Sequence, residues 1–187
     1  MTITVVAIST TGLVRHDRGP SDPAQPRLVA MSAALYSPKW EEKASFSYVT
    51  KPESAVSSAG AVAVHGVTER ERELYGLDFA IVMASFMRFT RLSKEVAAFN
   101  MPFLSLMIDI ELDRLKADAK DWNRGGLKKT CLLQETGNIH NSGKVMTIKA
   151  AHEAATGLLY EQPEKNKHIY DARAAARVIQ CLRHKAA

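Results

Sequence analysis

The sequence predicts an α/β domain built on a mixed sheet flanked by helices, and three observations carry that prediction. Thr2 to Ile8 (TITVVAI) is a short apolar run rich in β-branched residues. Two further strand-like segments follow before any long helical pattern, and a short apolar segment at Lys94 to Asn100 then runs into a long helical one. Strands first, then a strand–helix unit, is the order of a chain with antiparallel and parallel neighbours in one sheet.

The first strand is stopped by Ser-Thr-Thr-Gly, and Arg15 to Pro26 is a polar loop with three prolines. RLVAMSAALYS and ASFSYVTKP then form two strands of a meander. Between Ser54 and Thr68 an Ala-rich stretch predicts a short helix ending near Gly66, a residue suited to a helix C-cap. Asp78 to Arg91 predicts a clearer helix whose apolar stripe is Phe79, Ile81, Val82, Phe86 and Phe89. KEVAAFN is a fourth strand, and Pro102 opens a helix from about Phe103 to Ala119, since proline is tolerated in a first turn. Asp121 to Ser142 is the least periodic stretch and is read as loop with one short helix near Cys131. Helices follow at Thr147 to Thr156 and at Asp171 to His184, the last with Ala172, Ala175, Val178, Ile179 and Leu182 as its stripe.

Composition narrows the function classes. A chain of 187 residues with 46% hydrophobic content suits one globular domain over residues 1–187 with a substantial core. No apolar run approaches the roughly 20 residues of a membrane span, and the first residues lack a charged leader, so a cytoplasmic protein without a membrane partner is expected. Cys131 and Cys181 sit in no metal-ligand spacing. The net charge of +5 is concentrated late in the chain, with fourteen Lys/Arg against seven Asp/Glu from Arg114 onward. Such a face meets phosphates or is simply solvated.

Four segments then stand out in order: VVAISTTGL at Val5 to Leu13, VHGVT at Val64 to Thr68, AAFNMPFLSLMIDIELDRL at Ala97 to Leu115, and NKHIYDARAAARVI at Asn166 to Ile179. Together they resemble the motifs of the DnaQ-like DEDDh 3′-to-5′ exonucleases (DNA polymerase III epsilon-like), in the stand-alone form of proteobacteria and their phages. Trp122, the Thr130-Cys131 pair and Lys149 to Thr156 are similar to that family's connecting region. The resemblance spans almost the whole chain and implies a ribonuclease H-like exonuclease fold with a mixed five-stranded sheet flanked by helices.

The resemblance also implies a chemistry that this chain departs from. The family hydrolyses nucleic acid with two divalent ions held by four carboxylates and with a histidine as base. On those motifs Ala7 stands at the first carboxylate, Ser9 at the second and Leu104 at the third, Asn166 takes the place of the base, and only Asp171 is retained. One carboxylate does not hold two Mg²⁺ ions, which require hard oxygen ligands. His168 has the wrong offset from Asp171 to replace the base, and Asp109, Glu111 and Asp113 are scattered around their helix rather than converging on one ion. Asp171 is therefore read as a capping carboxylate in the first turn of the last helix. Phe99 in place of the usual histidine, with Ala7 and Leu104, predicts a drier, plugged cleft.

Binding residues follow from the same resemblance. Gly12 and Leu13 lie beside a terminal nucleotide, or form a tight turn with a hydrophobic plug. His65 lines the nucleotide pocket or bonds nearby backbone, and Asn100 touches a nucleotide or fixes the turn into its helix. Arg173 and Arg177, one helical turn apart, meet phosphate together or face solvent. The expectation is a catalytically inactive pseudo-exonuclease with no cofactor. It would bind an unknown protein partner, single-stranded DNA or RNA, or both, in DNA replication, repair or phage–host interference. The alternative is an active 3′-to-5′ exonuclease using Mg²⁺ or Mn²⁺.

Overall fold

The computed structural model describes residues 2–53, 55–140, 146–161 and 167–185. Five strands form one mixed sheet: β1 (Ile3–Thr10), β2 (Leu28–Tyr36), β3 (Glu42–Val49), β4 (Glu95–Ala98) and β5 (Lys128–Cys131), in the order β3-β2-β1-β4-β5. β1, β2 and β3 pair antiparallel, whereas β4 is parallel to both β1 and β5. The helices are α1 (Ala59–His65), α2 (Glu69–Tyr75), α3 (Phe79–Leu92), α4 (Met101–Leu115), α5 (Leu132–His140), α6 (Ile148–Thr156) and α7 (Lys167–Lys185).

Strand alternation builds two cores. Val6 and its partner Ala33 face α3 and α4, where Val82, Phe86, Leu104 and Ile108 are buried with Trp122. Val5 and its partner Ala34 face the other way, toward Ala175, Val178 and Ile179 of α7 and Ala151 of α6. By the same period of two, Ala7 and Ser9 turn toward the α7 side. No helix among the described residues is long and apolar enough to cross a membrane.

Local signals placed most ends. Gly66 caps α1 at φ 71°, in the left-handed region where only glycine is unstrained. Asn100 accepts the N–H of Phe103 and opens α4, with Pro102 in the first turn. Thr147 caps α6 in the same way.

Several expectations are corrected. α4 stops at Leu115 instead of reaching Ala119, because Lys116 turns left-handed at φ 49°. Ile81 is half exposed, and the buried stripe of α3 runs through Phe79, Val82, Met83, Phe86, Met87 and Thr90. The segment before Cys131 is a strand, β5, and the helix begins only at Leu132. α2 was not expected, since ERERELY has no apolar period and buries only Arg72. Its signal was the capping box, in which Thr68 Oγ1 accepts the Glu71 N–H and the Glu71 carboxylate accepts the Thr68 N–H.

Candidate functional site

β4 ends at Ala98 beside Val6 while β1 runs on to Thr10, and α4 leaves from the end of β4, so a cleft opens past that end against α7. Such positions in open α/β sheets are where ligands bind. The cleft measures about 200 Å³ and is lined by Ala7, Phe99, Asn100, Phe103, Leu104 and Asp171, among others. Three of the four expected acid positions thus converge, although they lie on β1, α4 and α7. The cleft is narrow and mainly apolar but open. Leu104 lies beneath it, 1% exposed and packed into the core behind α4.

Ser9 faces an adjoining hollow of about 440 Å³ with Gly12, Leu13, Val64 and His65, and Ile8 and Phe103 line both spaces. Leu13 is 86% exposed and Val64 81% exposed, so Leu13 projects from the rim and is no plug. Asn100 is committed to capping α4.

Asp171 does not cap a helix. α7 is already helical at Lys167, which places Asp171 in its second turn, beyond the free N–H groups a cap would satisfy. Its carboxylate instead accepts a hydrogen bond from the Tyr160 hydroxyl, which comes from the segment after α6, and the Tyr160 ring leans on His152 with centroids 5.6 Å apart. Nothing in the sequence pattern flagged Tyr160. Asn166 lies outside the described residues.

Ser9, expected at the position of the second carboxylate, shares a hydrogen bond between its Oγ and His168 Nδ1, 3.1 Å apart. His168 is buried, and desolvation, aided by the nearby His65 and Lys167, pushes its pKa down to about 4. A ring held below its ordinary 6.5 contributes stability that is complete above pH 6.5 and lost as pH falls toward 4. The loss is on the order of 3 kcal/mol. Urea unfolding at neutral pH and near the folded-state pKa is expected to show it. In His168→Gln this acid-induced part should vanish, and an unchanged pH slope would refute the burial.

Arg173 and Arg177 lie away from the cleft. Arg173 clamps Glu42 of β3 with two bonds of 2.9 and 2.8 Å, which holds the Glu42 carboxyl below its usual range, and Arg177 is exposed one turn further on. The acids after Leu104 diverge as expected. Glu111 is buried against Arg27 and Arg114, Asp113 is exposed, and Asp109 is raised by burial.

The donor set does not fit a pair of divalent cations. Ala7 and Leu104 offer no ligand atom, Ser9 is bonded to an imidazole, and the Asp171 carboxylate is engaged by Tyr160. Among the described residues no group of three or more His, Cys, Asp or Glu is placed to hold a metal ion.

No protein-family model and no curated protein sequence matches the chain. Solved structures do. The zinc-bound complex of E. coli exonuclease I with single-stranded DNA superposes with a TM-score of 0.80 at 16% identity, over 98% of this chain and 41% of that one. The nuclease domain of 3′hExo, a DEDDh family member bound to rAMP, superposes with a TM-score of 0.70 at 12% identity, over 99% of this chain and 92% of that one. A complex of exonuclease I with SSB-Ct gives 0.75 at 16% identity over 98% of this chain and 42% of the other. This chain therefore spans about two fifths of the length of exonuclease I, and nearly all of the 3′hExo nuclease domain. With the mixed five-stranded sheet and its flanking helices, these superpositions establish that the chain has the ribonuclease H-like fold of the DEDDh exonucleases.

Proposed function

We propose that residues 1–187 act as one degenerate exonuclease-fold domain that holds the end of a single-stranded nucleic acid without hydrolysing it. The observation that carries this reading is the convergence of Ala7, Leu104 and Asp171 on one cleft whose single carboxylate is engaged by Tyr160. Two-metal hydrolysis needs several anionic ligands to neutralise the ions and orient water, and a wall of Ala7, Phe99 and Leu104 supplies neither. Binding requires less. Single strands are held by stacking surfaces and basic flanks, with no need of metal. The exposed Leu13 beside Phe103 and Val64 provides an apolar platform, and His65 and the basic late chain provide polarity and charge. Exonuclease I has been solved with single-stranded DNA and 3′hExo with rAMP, in keeping with such a ligand.

A second reading has its own observation. Leu13 and Val64 form an exposed apolar rim that also suits a protein partner, and exonuclease I has been solved with SSB-Ct.

Incubation with labelled single-stranded DNA and RNA in Mg²⁺ or Mn²⁺ is expected to release no nucleotides, with Asp171→Ala indistinguishable from the unaltered chain. Hydrolysis that disappears in Asp171→Ala would establish a working nuclease and overturn the reading. In EDTA at low salt the same oligonucleotides are expected to bind, with affinity falling steeply as salt rises. Leu13→Asp should weaken binding roughly tenfold through lost apolar contact and added like charge. Absence of binding at low salt would leave the protein-partner reading.

A further inference from the structure

The turn between β2 and β3 is closed by two bonds of 2.9 Å, from the Ser37 N–H to the Glu41 carbonyl and from the Trp40 N–H to the Ser37 carbonyl. Trp40 follows Pro38 and Lys39 in the left-handed region at φ 63°, the place where such turns favour glycine. A bulky side chain held there stores strain, and strain of this kind collects at positions that grip ligands. The ring is only partly buried. It rests on the second core beside Tyr36, centroids 6.1 Å apart, with the Arg183 guanidinium 5.7 Å from its centre. It also lines a hollow of about 330 Å³ between the turn and α7.

That hollow holds an unengaged cation. Its lining carries one acid, Glu42, and two guanidinium groups, Arg173 and Arg177. Arg173 takes up Glu42 with bonds of 2.9 and 2.8 Å, which leaves Arg177 exposed with no hydrogen bond or ion pair among the described residues. Glu161 lines a neighbouring hollow on the other side of Arg177 and makes no ion pair with it. Tyr170, 42% exposed, lines that neighbouring hollow as well. Arg177 therefore stands between two aromatic side chains, Trp40 on one side and Tyr170 on the other.

We propose that the hollow between the β2–β3 turn and α7 is a second contact for single-stranded nucleic acid, with a base stacked on Trp40 and a phosphate on the Arg177 guanidinium. A single strand offers planar bases and phosphates in alternation, which an aromatic ring beside a guanidinium matches, whereas an acidic peptide makes no use of the ring. The proposal rests on the reading that this chain binds single strands. It adds a contact that shares no lining residue with the cleft.

The test uses the full chain and an oligothymidine of about twelve nucleotides in EDTA at low salt. The chain has two tryptophans and Trp122 is 0% exposed, so a saturable change in intrinsic fluorescence reports on Trp40. That change is expected, and it should disappear in Trp40→Gly, which removes the ring and relaxes the left-handed backbone. By anisotropy of a labelled oligonucleotide, Trp40→Gly and Arg177→Gln, each shown to be folded by thermal unfolding, should weaken Kd by about fivefold or more. Binding with constant fluorescence and one Kd in all three chains would overturn this contact and leave the cleft reading intact. Weakening in these two variants but not in Leu13→Asp would support the contact and overturn the cleft reading. No binding at low salt overturns both. A glutamate homopeptide that changes the fluorescence where the oligothymidine does not would assign the hollow to an acidic protein segment and overturn the proposal.

Discussion

Leu104→Asp is expected to destabilise the fold by about 3–5 kcal/mol at neutral pH, and not to revive catalysis. The side chain is 1% exposed and packs in the same buried cluster as Met101, Ile108 and Trp122. An ionised carboxylate there has no cation opposite it, and the apolar contacts of leucine are lost as well. Burial raises a carboxyl pKa, so the folded form of Leu104→Asp keeps its proton to higher pH than the unfolded chain. Its deficit is therefore smallest below the ordinary carboxyl range near 4 and grows as pH rises through the folded-state pKa. Denaturant unfolding across that range reads both the size and the sign. Stability equal to that of the unaltered chain at neutral pH would refute the dry setting of Leu104. On the expected outcome an acid is not accommodated at Leu104 alone, because the core behind it is packed around an apolar residue.

Glu111→Ala should cost a similar amount, about 3–5 kcal/mol, for the opposite reason. This carboxylate is 1% exposed and already paired. Its Oε1 accepts the Leu28 N–H at 2.8 Å, and its Oε2 lies 3.3 Å from Arg27 and 3.5 Å from Arg114. Its removal takes the acceptor from the Leu28 N–H and the buried anion from between two guanidinium groups, of which Arg27 keeps Glu53 as its counterion and Arg114 keeps only neutral carbonyls. Arg114 also donates to the carbonyls of Pro26 and Gln25 at 2.9 and 3.0 Å, so the pair anchors the loop from Arg15 to Pro26 onto α4. A fall in Tm of about 10 °C is expected in Glu111→Ala. A smaller fall is expected in Glu111→Gln, which keeps an acceptor for Leu28. If both variants melt with the unaltered chain, the cluster contributes nothing. Glu111 was legible in the sequence as an acid unsuited to catalysis, but its partners on the loop before β2 were not.

The division between what was legible and what was not follows the range of each interaction. The sequence by itself determined the features whose causes lie within a turn or two of chain: the β-branched run of β1, the meander after it, the left-handed Gly66 closing α1, Pro102 and Asn100 opening α4, and the apolar period of α7. The resemblance of its motifs also led to the expectation that Ala7, Ser9 and Leu104 stand at acid positions. Only the tertiary structure decided the rest. β5 has two buried residues in four and exists because β4 offers it a parallel edge. Asp171, a cap by its local context, belongs instead to Tyr160, because α7 starts a turn earlier and the segment after α6 returns to it. Ser9 meets His168 across 159 positions, and His65 joins them in a common environment. Propensity and periodicity are properties of neighbouring residues, whereas the partner of a buried polar group is set by how the chain closes on itself, and that closure is specified only when both cores have packed.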